Sequence, residues 1–334
     1  MQAAVCDAKA YTTTDVGDSP IYSIPTGIMQ KILLINPALA RTQQRVAFLT
    51  MIVPAIGACG AVYWALTRGL STTSLIMFAV LYALTTAGLT VGFHRLFTHR
   101  SFKPTPATKA VLAVLGMMAA QGPVLFWVAS HRRHHAFSDT KHDCHSPCMH
   151  GVTLPERIKG LWHAHFGWML KGEIANVPMF AKDLLQDHVV TALNRYYTLW
   201  VLFGLAIPTA VGAIAPGGWT GAMEGLLWGG LFRISFVHRI TWGLNSLNHV
   251  FGFRRYSTDD NSRNIAWLAL ITMGEGWHNN HHAYPSSAKF GHKWWEFDLG
   301  FTVIRTLRVL GLCNDVQYPN AEALARKKAA SSSH

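Results

Sequence analysis

Charge is what this sequence has least of. Asp, Glu, Lys and Arg make up 14% of its 334 residues, against about 25% in soluble domains, so an ordinary water-soluble globule is excluded. Acids are scarcest, with 17 against 29 basic residues for a net charge of +12. The basic residues form no single long patch of the kind a nucleic-acid binder presents, and a membrane is the simpler partner. The five cysteines, Cys6, Cys59, Cys144, Cys148 and Cys313, are odd in number and lack Cys-x-x-Cys spacing, which excludes a disulfide framework and a rubredoxin-like or zinc-ribbon site. Gly-x-Gly-x-x-Gly, the P-loop, Gly-x-Ser-x-Gly and His-Glu-x-x-His are all missing.

Long uncharged runs are abundant. Twenty-two residues separate Arg45 from Arg68 and 25 separate Arg68 from His94, each enough to cross a bilayer at about 20 residues per span. Further apolar stretches run from Ala110 to Ser130, from Tyr196 to Met223 and from Gly225 to Asn248. Basic residues collect on the cytoplasmic side: 12 lie between His94 and Arg195, 10 after His249 and 4 before the first span, against one in the 67–71 turn. That parity requires four crossings, at about 46–67, 70–93, 197–216 and 222–246, with both termini cytoplasmic. Ala110–Ser130, broken at Gln121-Gly122-Pro123, is then helix pieces packed at the cytoplasmic face. Residues 1–28 read as a flexible cytosolic leader, 29–321 as one membrane domain and 322–334 as a polar tail. Arg233, His238 and Arg239 in the last span are costly in hydrocarbon, so they face protein or a polar pocket, or snorkel from one end.

The anomaly is 18 histidines, clustered as His94 and His99 in HRLFTH, His131, His134 and His135 in HRRHH, His249 in NSLNH, and His278, His281 and His282 in HNNHH. Spacings of three and four put each triple on one helix face, and Asn245 shares a face with His249. Nine converging imidazoles exceed what one ion can use, so two metals are implied. Of the Glu-x-x-His pairs that a soluble carboxylate-bridged di-iron bundle requires, only Glu275 with His278 is present. His142, His145 and His150 with Cys144 and Cys148 fall in one short irregular segment, and His163, His165, His188 and His292 are expected to pack or face solvent.

At these motifs the chain resembles the integral-membrane fatty acyl desaturases, in the stearoyl-CoA (Δ9) desaturase-like branch, over about residues 40–315. The resemblance implies an all-α integral membrane protein with four transmembrane helices and a cytosolic helical cap, holding two iron ions through the nine histidines, with Asn245 holding a water. It implies an O2-dependent enzyme that places a cis double bond, at Δ9, in a saturated acyl chain, an acyl-CoA first among carriers. Gln121, Trp127 and Thr241 match the bend of the substrate tunnel and Tyr82 its closed end, with Thr86 one turn on. Gly122 and Ala129-Ser130 depart from the groups that meet CoA in the mammalian enzymes. Asp143 and Glu275 are candidate carboxylates for orienting ligand histidines. No haem, flavin or Fe–S motif is present, so electrons come from an external donor of ferredoxin, rubredoxin or cytochrome b5 type with its reductase. The alternatives are a hydroxylase or acetylenase with the same boxes, acting on lipid or acyl-carrier-protein substrates, and, remotely, a metal transporter.

Overall fold

The computed structural model describes residues 31–325 apart from 152, 216, 320, 321 and 323. The leader and nearly all of the polar tail lie outside the described residues. The long elements are helical. α1, Pro37–Arg68, starts on an Asn36 cap that accepts from the Ala38 and Leu39 amides, with Pro37 at the position where a missing N–H costs nothing. It stops at Gly69, whose φ of 81° no other residue adopts easily. α2, Thr72–Ala87, is capped by Ser71 and runs straight into a π-helix, Gly88–Thr98. Then come α3, Pro106–Met117, α4, Val124–Phe137, α5, Leu154–His165, α6, His188–Arg195, and α7, Tyr197–Ile214. α8, Gly218–Gly225, continues through a second π-helix, Leu226–Phe232, into α9, Arg233–Leu247. Three shorter helices close the chain: α10, Ala266–Ile271, α11, His278–Ala283, and α12, Leu299–Val309. Two residue pairs, Lys103–Pro104 and Cys313–Asn314, form one small antiparallel ribbon.

Among the described residues three helices are long and apolar enough to cross a membrane: Pro37–Arg68, Thr72–Thr98 and Tyr197–Ile214. Their outward faces carry exposed Phe48, Leu49, Ile56, Leu199, Leu202 and Ile214, as a lipid-facing surface does. Their inward faces approach through small residues. A Cβ on Gly88 would stand 2.2 Å from the Gly116 amide, and one on Gly225 would stand 2.1 Å from the Pro208 carbonyl.

The stretch expected as a fourth span is the broken α8–π–α9 segment, and its polar residues face inward. Arg233 is fully buried. Its guanidinium donates to the carbonyls of Gly229, Met118 and Gly204 at 2.8–3.1 Å, tying α3, α7 and its own helix together. His238 bonds the Ala119 carbonyl at 2.9 Å. Arg239 alone is exposed, beside Trp242. The Ala110–Ser130 stretch is two helices, α3 and α4, joined through Ala120 and Gly122, which both hold positive φ.

Candidate metal centre

The first histidine box depends on the π-helix. On an α-helix, residues five apart sit about 140° away from each other at 100° per residue. In Gly88–Thr98 the bonding reaches one residue further, and the His99 amide donates to the His94 carbonyl at 3.2 Å. This brings the two rings together edge to face, with centroids 4.9 Å apart. The other boxes use ordinary α spacing on α4 and α11, the latter buried along its whole length.

The nine histidines form two adjoining groups: His94, His99, His131, His135 and His281, and His134, His249, His278 and His282, each with its ligand atoms within 4.8 Å of one another. The triples divide across the groups in opposite senses. His131 and His135 enter the first while His134 enters the second, and His278 and His282 enter the second while His281 enters the first. Each of α4 and α11 thus reaches both positions, sending its i, i+4 pair to one and the odd residue to the other.

The spacing of the nitrogens fits a shared ion. The Nε2 atoms of His94 and His281 are 2.9 Å apart, those of His281 and His135 3.0 Å, of His135 and His131 3.1 Å, and of His249 and His278 3.1 Å. Two ligands at right angles, each about 2.1 Å from an ion, stand about 3.0 Å apart. The Nε2 atoms of His99, His134 and His282 are buried with no hydrogen-bond partner, an arrangement that is unfavourable unless something else takes those lone pairs. The donor set therefore fits a pair of imidazole-bound metal ions.

Carboxylates fix the rings from behind. Glu275 meets His94 Nδ1, Asp143 meets His134 Nδ1 at 2.9 Å, Asp139 meets His249 Nδ1 at 2.9 Å, and Asp260 meets His282 Nδ1 at 2.6 Å. Each contact places the ring proton on Nδ1 and leaves Nε2 free to ligate. Burial pushes His99, His131, His135, His278 and His281 well below the ordinary imidazole range, and their mutual repulsion adds to it. His249 goes the other way: burial opposes its charge, but Asp139, then Asp260 and Asp143, raise it to about 9. Burial likewise opposes ionisation of Asp143 and Asp260, yet His134 and His282 hold them well below the usual carboxylate range.

Arginines frame the boxes. Arg95, buried, pairs with Glu275 and Asp298 at 3.0 Å each and lies over the Phe290 ring. Arg132 donates to the Thr98 and Phe97 carbonyls and pairs with Asp183, and Arg133 donates to the His142 carbonyl.

Two cavities adjoin the histidines. The first, about 50 Å³, is lined by Gln121, Phe126, Trp127, Ser130, Thr241 and Asn245 among others. The second, about 40 Å³, includes Thr86, Leu89, His94, Thr241, Leu244 and Asn245. Trp127, His131, Thr241 and Asn245 border both. Trp127 leans on Gln121 through a 3.4 Å indole bond. Tyr82 borders neither: its hydroxyl meets the Ile271 carbonyl and its ring packs with Phe78 and Phe236, one helical turn from Thr86.

Asp139, Asp260, Arg95 and Asp298 escaped sequence reasoning. In a chain so poor in acids, Asp139 was signalled by standing four residues after His135. Asp260, 11 residues past His249, had no local signal. Glu275 was found, but its Glu-x-x-His spacing points to His278 while its carboxylate meets His94. In the Cys/His segment 142–150, Cys144 Sγ points at the Ser130 carbonyl and His150 meets His163 edge to face, while Asp143 and His145 come within ligand spacing of each other only together with His134, a member of the four-histidine group. His165 bonds Ser246, His292 meets the Tyr256 hydroxyl, and His188 is exposed.

Comparison with known proteins agrees with the geometry. The fatty acid desaturase family model matches residues 70–307. The chain is 42% identical over 281 residues to the hex-5-enoyl-(acyl-carrier protein) acetylenase of Moorena producens, covering 84% of this chain and 88% of that protein. It is 40% identical over 254 residues to the sn-1 stearoyl-lipid 9-desaturase of Synechocystis sp., covering 74% and 73%, and 37% identical over 262 residues to that of Anabaena variabilis, covering 77% and 89%. With two groups of histidines able to hold metal ions beside an apolar helical body, the chain belongs to the fatty acid desaturase family of oxidoreductases.

Proposed function

We propose that the chain introduces a cis double bond, at Δ9, into a saturated acyl chain, using O2 and two electrons from an external donor. One iron is held by His94, His99, His131, His135 and His281. The other is held by His134, His249, His278 and His282, with Asn245 holding a water. The observation that carries this reading is the five-and-four division of imidazoles at ligand spacing. Bound there, the irons supply the redox chemistry that removal of hydrogen from an unactivated methylene requires.

The chain's own residues do the rest. An acyl chain passing from the Gln121 cavity to the Thr86 cavity runs by Trp127, His131 and Thr241, beside the five-histidine group. Glu275, Asp143, Asp139 and Asp260 hold the ring protons on Nδ1. The alkyl chain has no polar group near the reacting carbon, so depth beyond Thr86 towards Tyr82 sets which carbon is presented. Four crossings, the fourth along α8–α9, place the histidines and both termini on the cytoplasmic side, where a ferredoxin, rubredoxin or cytochrome b5-type donor with its reductase reaches the basic face. The carrier is a membrane lipid in this reading, because two relatives named for stearoyl-lipid substrates align over most of the chain, and Gly122 and Ala129-Ser130 depart from CoA-contacting residues. Acetylenic-bond formation on an acyl-carrier-protein thioester is the second reading, favoured by the 42% identical acetylenase.

The test is fatty-acid analysis, with double bonds located by derivatisation, of a desaturase-deficient host expressing this chain or His281→Ala. A new cis-monoene found only with the intact chain supports the reading. A hydroxylated or acetylenic product replaces the reaction, and full activity of His281→Ala sinks the ligand assignment. Lipid-, CoA- and acyl-carrier-protein-linked substrates supplied to purified enzyme separate the carriers.

A further inference from the structure

The two metal positions differ in the charge behind their ligands. In the four-histidine group three of the four rings back onto carboxylates, Asp143, Asp139 and Asp260. The other contacts of those acids are neutral donors: the Asp139 and His145 amides on Asp143, the Ser146 hydroxyl and the Asn261 amide on Asp139, and Thr258 and Ser262 on Asp260. Among the described residues no Lys or Arg pairs with any of the three. In the five-histidine group a single ring, His94, backs onto a carboxylate, and that acid, Glu275, is shared with Arg95. His281 Nδ1 is buried with no partner at all.

A carboxylate on the far nitrogen makes an imidazole more basic and a better ligand, and an uncompensated negative charge nearby adds a direct attraction for a cation. Counting ligands alone, the five-histidine position should hold its ion more firmly. Counting the charge behind them reverses the order. We propose that the two positions are unequal, and that the four-histidine position retains its metal when the five-histidine position has already released its own. The inference rests on the two-metal reading above and deepens it.

The experiment loads the purified full-length chain anaerobically with Fe2+ in lipid nanodiscs and draws the metal off with a graded chelator series, recording iron per chain. Release in two steps is expected. His99→Ala should remove the step that leaves first, and His278→Ala the step that leaves last. Asp260→Asn should weaken the later step by about 10–100-fold, the usual effect of losing such a partner, and leave the earlier one in place, whereas Glu275→Gln should act on the earlier step. Release of both equivalents in one step, or loss of the later step in His99→Ala, overturns the inference while leaving the two-metal reading intact. Fewer than two irons per intact chain overturns both. If the Asp260 variant does not fold, the intact chain and His99→Ala decide the matter alone.

Discussion

Arg95 offers a test of how the first histidine box is held. Its guanidinium sits between two buried acids, Glu275 and Asp298, 3.0 Å from each, with side chains 0%, 4% and 3% exposed. Arg95→Met leaves both charges in place and removes the only cation that meets them among the described residues, and breaking a buried pair in this way costs about 3–5 kcal/mol. Glu275→Gln is milder, because Arg95 keeps Asp298, so about 1–3 kcal/mol is expected from one lost charged hydrogen bond. In the double variant only Asp298 stays charged, and it still accepts from the Phe290, Gly291 and Phe301 amides. The double loss should therefore fall short of the summed single losses by about 1–3 kcal/mol. Unfolding of the metal-free protein in one detergent measures all three, and at roughly 2–4 °C per kcal/mol the Arg95→Met shift is large enough to resolve. Arg95→Lys should lie between, keeping the charge and losing the fork that reaches both acids. Strictly additive losses, or an Arg95→Met protein as stable as the parent, would refute the reasoning.

Arg233→Met should be similarly damaging, since it strands the Met118 and Gly204 carbonyls in the helix interior; at about 1–3 kcal/mol per orphaned group, unfolding temperature and yield in membranes report it, and an unchanged protein would remove Arg233 as a tie between helices. Gly88→Ala forces a Cβ onto the Gly116 backbone, so it should destabilise by more than the same change at the open turn position Gly69, where nothing crowds the new methyl and only the positive φ resists. Thr86→Ala enlarges the second cavity and should shift product towards longer chains in fatty-acid analysis; an unaltered profile would remove Thr86 from the wall that sets length. Metal-free protein should lose stability as pH falls below about 6.5, because the unfolded chain takes protons that buried His99, His131, His135, His278 and His281 refuse. His249, raised to about 9, works in the opposite sense but is one group against five, so equal unfolding temperatures at pH 7.5 and 5.5 would contradict this balance.

What the sequence discloses follows the range of each interaction. The helices from Arg45 to His94 and the one after Tyr197 are legible because lipid-facing helices need unbroken apolar runs, and α4 and α11 because spacings of three and four are local. The π-helix at the first box was not legible, since an i→i+5 turn carries no pattern of its own here. His94 and His99 group by their motif, but an α-helix would set them about 140° apart, and only the backbone bond between them accounts for their convergence. Long-range pairing was equally hidden. Asp260 reaches His282 and Glu275 reaches His94 across 22 and 181 positions, distances over which no periodicity survives. Tyr82, one helical turn from the Thr86 that lines the second cavity, is placed by long-range contact as well: its hydroxyl meets the Ile271 carbonyl, 189 positions on.

The scarcity of acids and their placement belong to one physical problem. Buried side by side, His99, His131, His135, His278 and His281 oppose protonation, and a chain rich in carboxylates would form ion pairs there in competition with metal. Four carboxylates are instead set on the outer nitrogens, where they cannot reach the central space and can only fix which nitrogen faces it. Arg95, Arg132 and Arg133 sit one residue from histidines of the boxes yet point outwards, to Glu275, Asp183 and Glu173, so the same short motifs supply both the inward donors and the clasps that lock their helices. Exchanging an inward histidine for the arginine beside it should therefore fail twice, by placing a cation at the metal position and by leaving an acid unclasped. His134→Arg paired with Arg133→His tests this: composition and net charge are unchanged, and loss of metal from the four-histidine position is expected. Full metal loading in that swapped protein would show that box composition, and not the direction each side chain takes from its helix, decides the site.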